Sequence, residues 1–170
     1  MAVQTAYTEF MTAAIEGQLA DNGPHDIVAR FNDEASASIP FGRAVIYGTV
    51  FEAALLPTAE TDRVQGIVIH ANQYTRGHTG ADLTDDGLAP GATLNVLRKG
   101  RVWVRNNDTT AVVPGQALFV RAVAGGGEVL AGFEGTDDGT DTIVCTSQGE
   151  WLDAVAAGAL GRIAVDFTGV

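Results

Sequence analysis

With 170 residues, the chain is long enough to bury a single hydrophobic core and does not require a second domain. Hydrophobic residues make up 46% of it and charged residues 18%, which excludes a chain disordered by composition, and its apolar runs are too short to cross a bilayer. The formal net charge is -11 and Lys99 is the only lysine, so the chain repels phosphate backbones and we expect no nucleic-acid partner.

Residues 1–41 are predicted to form an N-terminal arm. Apolar side chains recur at helical spacing near its start: Phe10, Met11, Ala14, Ile15 and Leu19. Asn22-Gly23-Pro24 ends this pattern, which predicts a short helix before it. A second apolar patch follows at residues 27–31. Two arrangements remain open: the arm folds back over its own body, or it lies in the grooves of a neighbouring subunit.

The cellular compartment is indicated by the first residues and by the cysteine content. The opening MAVQTAYTEF shows no basic stretch followed by an apolar run, so we expect synthesis and folding in a cytoplasm. The lone Cys145 agrees, because one cysteine cannot form an intramolecular disulfide. Since Cys145 ends a β-type run, we expect it to be a small buried hydrophobe.

Residues 42–170 are predicted to form the body. Short β-type runs occur there between connections rich in Gly, Pro or Asp: 44–47, 64–71, 94–97, 101–105, 116–123, 128–131, 141–145 and 160–167. This spacing predicts a mainly β fold, an antiparallel β-barrel or sandwich. Lys99-Gly100 is predicted to be a tight hairpin turn between two of the strands.

One short helix is predicted near the C-terminus of the body. Ser147-Gln148-Gly149-Glu150 matches a capping box, and Gly158 stands where the helix would end. The apolar stripe of this helix consists of Trp151, Leu152 and Val155. We expect the helix to plug one end of the barrel and Trp151 to lie in the core.

Patterns that commonly carry chemistry are weak in this sequence. His70, His78 and the nearby acids match no standard metal-ligand spacing, and His25 stands apart from them. Residues 135–141 resemble a calcium loop only in composition, so they are predicted to be a polar turn. Gly125-Gly126-Gly127 is followed by no Lys-Ser/Thr pair and is predicted to be a hairpin tip. We therefore expect no enzyme, with no catalytic residue, cofactor or metal.

Two β-type runs place aromatic and arginine side chains on one face. In residues 101–105 and 118–121, small apolar side chains alternate with an aromatic ring and Arg. These large side chains are typical of protein–protein contacts, and Arg101 and Arg105 beside Trp103 would need a partner for their charge. A partner-binding face is one interpretation. The other is a partly exposed Trp103 that the two arginine stems shield.

The arm and this face together supply the predicted partner-binding residues. They are Tyr7, Phe10, Met11, Ile15, Leu19, Phe31, Phe41, Arg101, Trp103, Arg105, Phe119 and Arg121.

Several segments occur in a characteristic order along nearly the whole chain. They are MAVQTAYTEF, residues 13–19 before the break at Pro24, residues 39–45 (IPFGRAV), Gly66-Ile67-Val68, residues 96–104, residues 115–121 (GQALFVR) and residues 156–165. No single segment is specific, but in this order they resemble the structural cement, or head decoration, proteins of tailed bacteriophages.

The resemblance implies a non-enzymatic virion protein on a β-barrel or sandwich. Such a protein binds the outer capsid surface, clamps neighbouring major capsid protein subunits, and often acts as a homotrimer at three-fold or quasi-three-fold positions. It would be made in the host cytoplasm, with no nucleic-acid or membrane partner. The main alternative is a receptor- or glycan-binding β-module of a virion fibre. An enzyme built on a β-barrel would need a pocket with convergent polar groups.

Overall fold

The structure, a computed structural model, describes residues 14–70, 83–84 and 87–169. These residues form twelve strands: β1 (Asp26–Asn32), β2 (Ala44–Tyr47), β3 (Ala53–Leu55), β4 (Val64–Val68), β5 (Leu83–Thr84), β6 (Gly87–Leu88), β7 (Thr93–Arg105), β8 (Phe119–Arg121), β9 (Phe133–Glu134), β10 (Thr142–Val144), β11 (Gly149–Trp151) and β12 (Leu160–Asp166). One turn of 3₁₀ helix, Gly139–Asp141, precedes β10. Within the described ranges, no helix has the length and apolarity that a bilayer crossing needs.

A closed β-barrel forms the centre of the molecule, which is one of the two predicted architectures. The largest sheet has the order β1-β3-β2-β4-β7-β12-β11, and β1 also pairs with β7, so its first five strands close on themselves. β1 pairs with the first half of β7, and β12 pairs with the second half, from Leu160↔Arg105 to Asp166↔Lys99. One long strand therefore belongs both to the barrel and to the sheet that extends from it.

Part of the predicted arm is built into this barrel. Residues 26–32 form β1, which pairs in parallel with β3 and antiparallel with β7. Farther along, Ile39 is fully buried, and it exchanges backbone hydrogen bonds with Leu88 of β6. The barrel thus needs these residues of the N-terminal region to close.

The hairpin predicted at Lys99-Gly100 is wrong, because β7 continues through both residues. Its pairing shifts by one residue between Asp26↔Lys99 and Ile27↔Leu97, so Arg98 is the extra residue of a β-bulge. Gly100 has a φ of 141°, and a Cβ there would lie 3.1 Å from the Cβ of His25. Glycine is therefore needed for a distorted strand close to its neighbour, not for a chain reversal.

A second sheet, with the order β10-β8-β9, shares the larger hydrophobic core with the main sheet. Buried side chains from both sheets meet in this core: Val102, Val104, Ile163, Val120, Phe133 and Ile143. A smaller core cluster lies on the opposite face of the barrel strands and includes Val45, Val68 and Val96. Both faces of the barrel strands are therefore covered, which explains their nearly continuous apolar sequence.

The prediction of a short C-terminal helix is wrong, because Gly149–Trp151 is β11 and the described residues contain no α-helix. The Leu152 N–H donates to the Arg162 carbonyl, and Val155 exchanges two backbone hydrogen bonds with Val112. These tertiary partners satisfy the groups that a helix would pair internally, so they override the local capping pattern. Trp151 is fully buried, as predicted, and its Nε1 donates to the Glu134 carbonyl at 3.3 Å.

The strand predicted at residues 128–131 is also wrong. Gly125 and Glu128 form a bridge that closes a tight turn, which confirms the predicted hairpin tip at the three glycines. Ala131 has a left-handed φ of 62°, a conformation that a strand does not contain. The pairing strand begins only at Phe133.

A substitution at Gly66 tests how closely β4 packs against β7. A Cβ added at Gly66 would lie 2.5 Å from the Leu97 carbonyl oxygen. Overpacking of this kind costs about 1–3 kcal/mol, so Gly66→Ala should lower the free energy of unfolding by that amount in a urea titration. Gly125→Ala is the control, because a Cβ there meets no atom within 4 Å. Equal unfolding midpoints for the two variants would contradict the packing.

Candidate functional site

The candidate site is the outward face of β7 and β12, which we call the β7–β12 face. Its side chains are Lys99, Arg101, Trp103, Arg105 and Arg162. Between them Val102, Val104 and Ile163 point into the core and are fully buried. The alternation predicted for residues 101–105 is thus confirmed, with the valines inside, the arginines exposed and Trp103 half-buried.

Trp103 is held by a neighbour on β12. The register places Trp103 opposite Arg162, and the Arg162 Cζ lies 5.7 Å from the centre of the Trp103 ring. Asp153 receives two hydrogen bonds from the same guanidinium, at 2.9 and 2.6 Å. These bonds lower the pKa of Asp153 below its ordinary value and raise that of Arg162. The bidentate pair fixes the cation over the ring.

The N-terminal segment, residues 14–24, lies along the edge of β7 that β12 leaves free. The Gly17 N–H donates to the Trp103 carbonyl at 2.8 Å, the Trp103 N–H to the Gln18 carbonyl at 2.9 Å, and the Ala20 N–H to the Arg101 carbonyl at 2.9 Å. This part of the chain therefore folds back over its own body. An extended segment satisfies the unpaired backbone groups of a strand edge.

The helix predicted from the apolar spacing does not form in the described part of the N-terminal segment. Residues 14–19 are turn and extended chain, and Gly17 has a φ of 81°. A Cβ at Gly17 would lie 2.8 Å from the Cβ of Phe41, so this close crossing needs glycine. The hydrogen bonds to β7 outweigh the local helical pattern. Phe10 and Met11, which belong to the same prediction, lie outside the described residues.

Carboxylates of the N-terminal segment neutralise the arginines of the face. Asp21 Oδ2 lies 2.8 Å from Arg101 Nη1, and this bond lowers the pKa of Asp21. Glu16 lies 3.5 Å from Arg105 and 3.6 Å from the buried Arg43. The chain itself therefore supplies a carboxylate for Arg101 and for Arg105, so their charge alone does not require an external partner.

The other predicted contact residues outside β8 are scattered. Ile15 is exposed beside Glu16, whereas Leu19 is partly buried against the larger core cluster. Phe31 is half-buried in β1, and the ring of the half-buried Phe41 lies 4.9 Å from that of His70. Tyr7, Phe10 and Met11 lie outside the described residues. Among the predicted contact residues that the structure describes, Arg101, Trp103 and Arg105 share the outward face of β7, and Leu19 lies opposite Val102 on the same strand.

Phe119 and Arg121 do not form an exposed face, so that expectation is wrong. Phe119 is 8% exposed and Arg121 is 4% exposed. Arg121 donates from Nε to Glu134 at 2.8 Å and from Nη2 to Asp138. β8 is the central strand of the second sheet, and both of its faces are covered. Alternation of apolar and large side chains does not distinguish such a strand from one with a free face.

The two kinds of arginine pair should differ in their effect on stability. Removing one partner of a buried ion pair costs about 3–5 kcal/mol, whereas an exposed pair contributes about 0–1 kcal/mol. We expect Arg121→Met to lower the free energy of unfolding by about the larger amount in urea, because it leaves Glu134 buried without its cation. Arg162→Met is the matched control, since the Arg162 side chain is 45% exposed. A similar loss in both variants would contradict a buried ion pair at Arg121.

Cys145 and the acidic segment of residues 135–141 occupy structural positions in the described part of the chain. Cys145 is buried, as predicted, and burial raises the pKa of its thiol to about 12, so the thiol stays protonated at neutral pH. Residues 135–141 form the predicted polar turn, in which Asp137 accepts hydrogen bonds from Gly139 and Thr142. In the described part of the chain, no three His, Cys, Asp or Glu side chains are placed to hold a metal ion. His78 lies outside that part.

One exposed apolar feature is absent from the predicted contact residues. The turn of residues 48–52, between β2 and β3, presents Val50 and Phe51 to solvent. Its signal in the sequence is weak but visible: two large apolar residues follow Gly48-Thr49, in a position where a turn is usually polar.

Comparisons with known proteins agree with this architecture. The profile of one protein family, described as structural cement protein (E217 gp24/Pam3 gp6), matches residues 3–166. A chain in the solved structure entitled "The capsid of Myoviridae Phage XM1" is similar over 98% of each chain, with a TM-score of 0.68 and 14% sequence identity. At this identity the similarity concerns the fold alone. No curated protein matches the chain.

Proposed function

The chain belongs to the phage structural cement protein family, and from this premise we propose that it binds the outer capsid surface and clamps neighbouring major capsid protein subunits. The family match over residues 3–166 is the observation that carries the proposal, and it supports a structural role in the capsid. We infer a non-enzymatic virion protein that is made in the host cytoplasm and placed on the outside of the shell.

On the β7–β12 face, an ion pair within the chain can be exchanged for an ion pair with another protein. Asp21 and Arg101 are both substantially exposed, and a pair of this kind contributes only about 0–1 kcal/mol. A carboxylate of a capsid subunit therefore replaces Asp21 at little cost, whereas Glu16 also pairs with the buried Arg43 and stays in place. Trp103 supplies the large rigid side chain that often dominates such a contact.

Symmetric copies would strengthen these modest contacts. We propose a homotrimer at three-fold or quasi-three-fold positions, because linked copies engage several sites at once and raise the overall affinity without new contacts. Tyr7, Phe10 and Met11 remain proposed contacts, as does the exposed Ile15.

Co-sedimentation with expanded, undecorated capsids tests the proposal. We expect stoichiometric binding of the purified chain, and analytical ultracentrifugation of the free protein should show whether it is already a trimer. Absence of capsid binding would overturn the proposal. Absence of capsid binding together with specific binding to a glycan array would favour a receptor- or glycan-binding module of a virion fibre.

Trp103 allows a test of the face itself. Trp103→Ala should weaken capsid binding about tenfold or more, as expected for a central aromatic contact. Trp103→Phe is the control, because it keeps an aromatic ring beside Arg162, and it should lose much less. Thermal unfolding of both variants establishes that the fold is intact. Equal capsid affinity for wild type and Trp103→Ala would exclude this face from the contact.

A further inference from the structure

The turn between β2 and β3 carries the most exposed large apolar side chain in the described part of the chain. Phe51 is 69% exposed, and the adjacent Val50 is 51% exposed. Both project at one end of the barrel, because Glu52 accepts a backbone hydrogen bond from Phe31 at the end of β1. Two adjacent large apolar side chains that project into solvent are a feature of surfaces that bind another protein.

Two buried polar residues, Arg30 and Gln65, support the Phe51 ring on the side that faces the barrel. The Arg30 Cζ lies 4.9 Å from the ring centre, and Arg30 itself is only 7% exposed. Its Nε donates to the fully buried Gln65 at 2.9 Å. Gln65 in turn donates to the carbonyls of Ile46 and Ala53, on β2 and β3. The support for the exposed ring therefore reaches into four strands of the barrel.

A β-bulge places Gln65 for this role. The pairing of β2 with β4 shifts between Val45↔Gly66 and Ile46↔Val64, so Gln65 is the extra residue. Burial of an arginine and an amide is costly unless both are hydrogen-bonded, and here the bonds run between barrel strands and the cation faces Phe51. A ring that is already held in place loses less freedom on binding than a mobile one, which is the property of a preorganised anchor.

The charges around the turn indicate the partner's chemistry. Asp33 accepts a hydrogen bond from the Thr49 hydroxyl in the turn at 3.3 Å. Glu52 follows Phe51 directly and is exposed. An apolar tip with acidic neighbours fits an apolar pocket with basic side chains at its rim.

The turn and Trp103 lie toward opposite ends of β7. Phe31, which contacts Glu52, pairs with Thr93 at the start of β7, whereas Trp103 stands near its end. Ten residues of strand span at most about 33 Å, at about 3.3 Å per residue. One molecule thus presents two separated surfaces, which is what a clamp between two neighbouring subunits requires.

We propose that Phe51 anchors the protein in an apolar, basic-rimmed pocket of one capsid subunit, while the β7–β12 face contacts a neighbouring subunit. This inference rests on the proposed function and names a second contact site for it. Arg30 and Gln65 act as positioning residues for the anchor.

Co-sedimentation of variants with undecorated capsids tests the anchor. We expect Phe51→Ser to weaken capsid binding about tenfold or more with an unchanged melting temperature, because the exposed ring contributes little to the core. Val144→Ser is the matched control, since Val144 is 53% exposed on the second sheet, and it should bind as wild type does. Glu52→Lys should also weaken binding, and unchanged binding of this variant would refute the basic rim.

The outcomes separate this inference from the proposed function. If wild type binds capsids and Phe51→Ser binds equally well, the anchor is overturned and the proposed function stands. If wild type binds no capsid, both are overturned. A photo-crosslinking amino acid at position 51 should additionally link to a capsid subunit, and linking only to a second copy of this chain would assign Phe51 to self-association instead.

Discussion

The continuous pairing of β7 is the constraint on which the rest of the structure depends. Its first half pairs with β1 and β4, and its second half pairs with β12 and the N-terminal segment. A single thirteen-residue strand therefore closes the barrel and carries the sheet that leaves it. The bulge at Arg98 and the unusual φ of Gly100 allow this. Because of them, the set of alternate side chains that faces the core in the first half of the strand differs in register from the set that faces it in the second half.

On the β7–β12 face, arginines and carboxylates balance each other locally, although the chain as a whole is acidic. Arg101, Arg105 and Arg162 each pair with a carboxylate of the same chain, so the β7–β12 face is nearly neutral although the net charge is -11. The acidic excess lies elsewhere and includes the surroundings of Phe51. Such separation suits a protein that exchanges weak surface pairs at one end and meets basic groups at the other.

Buried polar groups have two different uses in this fold. Arg121 and Glu134 form an ion pair inside the second sheet, where each satisfies the other. Arg30 and Gln65 instead connect the barrel strands to an exposed ring. The first arrangement specifies internal packing, whereas the second transmits the rigidity of the barrel to the surface.

The sequence by itself predicted a mainly β fold, the inward valines of residues 101–105 and the burial of Cys145, because these follow from side-chain alternation and apolarity. It left the choice between a barrel and a sandwich open, and it predicted the burial of Trp151 from the apolar stripe of a helix that does not form. It also identified the family through the order of its segments. Only the tertiary structure decided that β7 continues through Gly100, that Trp151 lies in a strand, and that Arg121 is buried. Each of these depends on hydrogen-bond and charge partners distant in the chain, which local patterns do not contain.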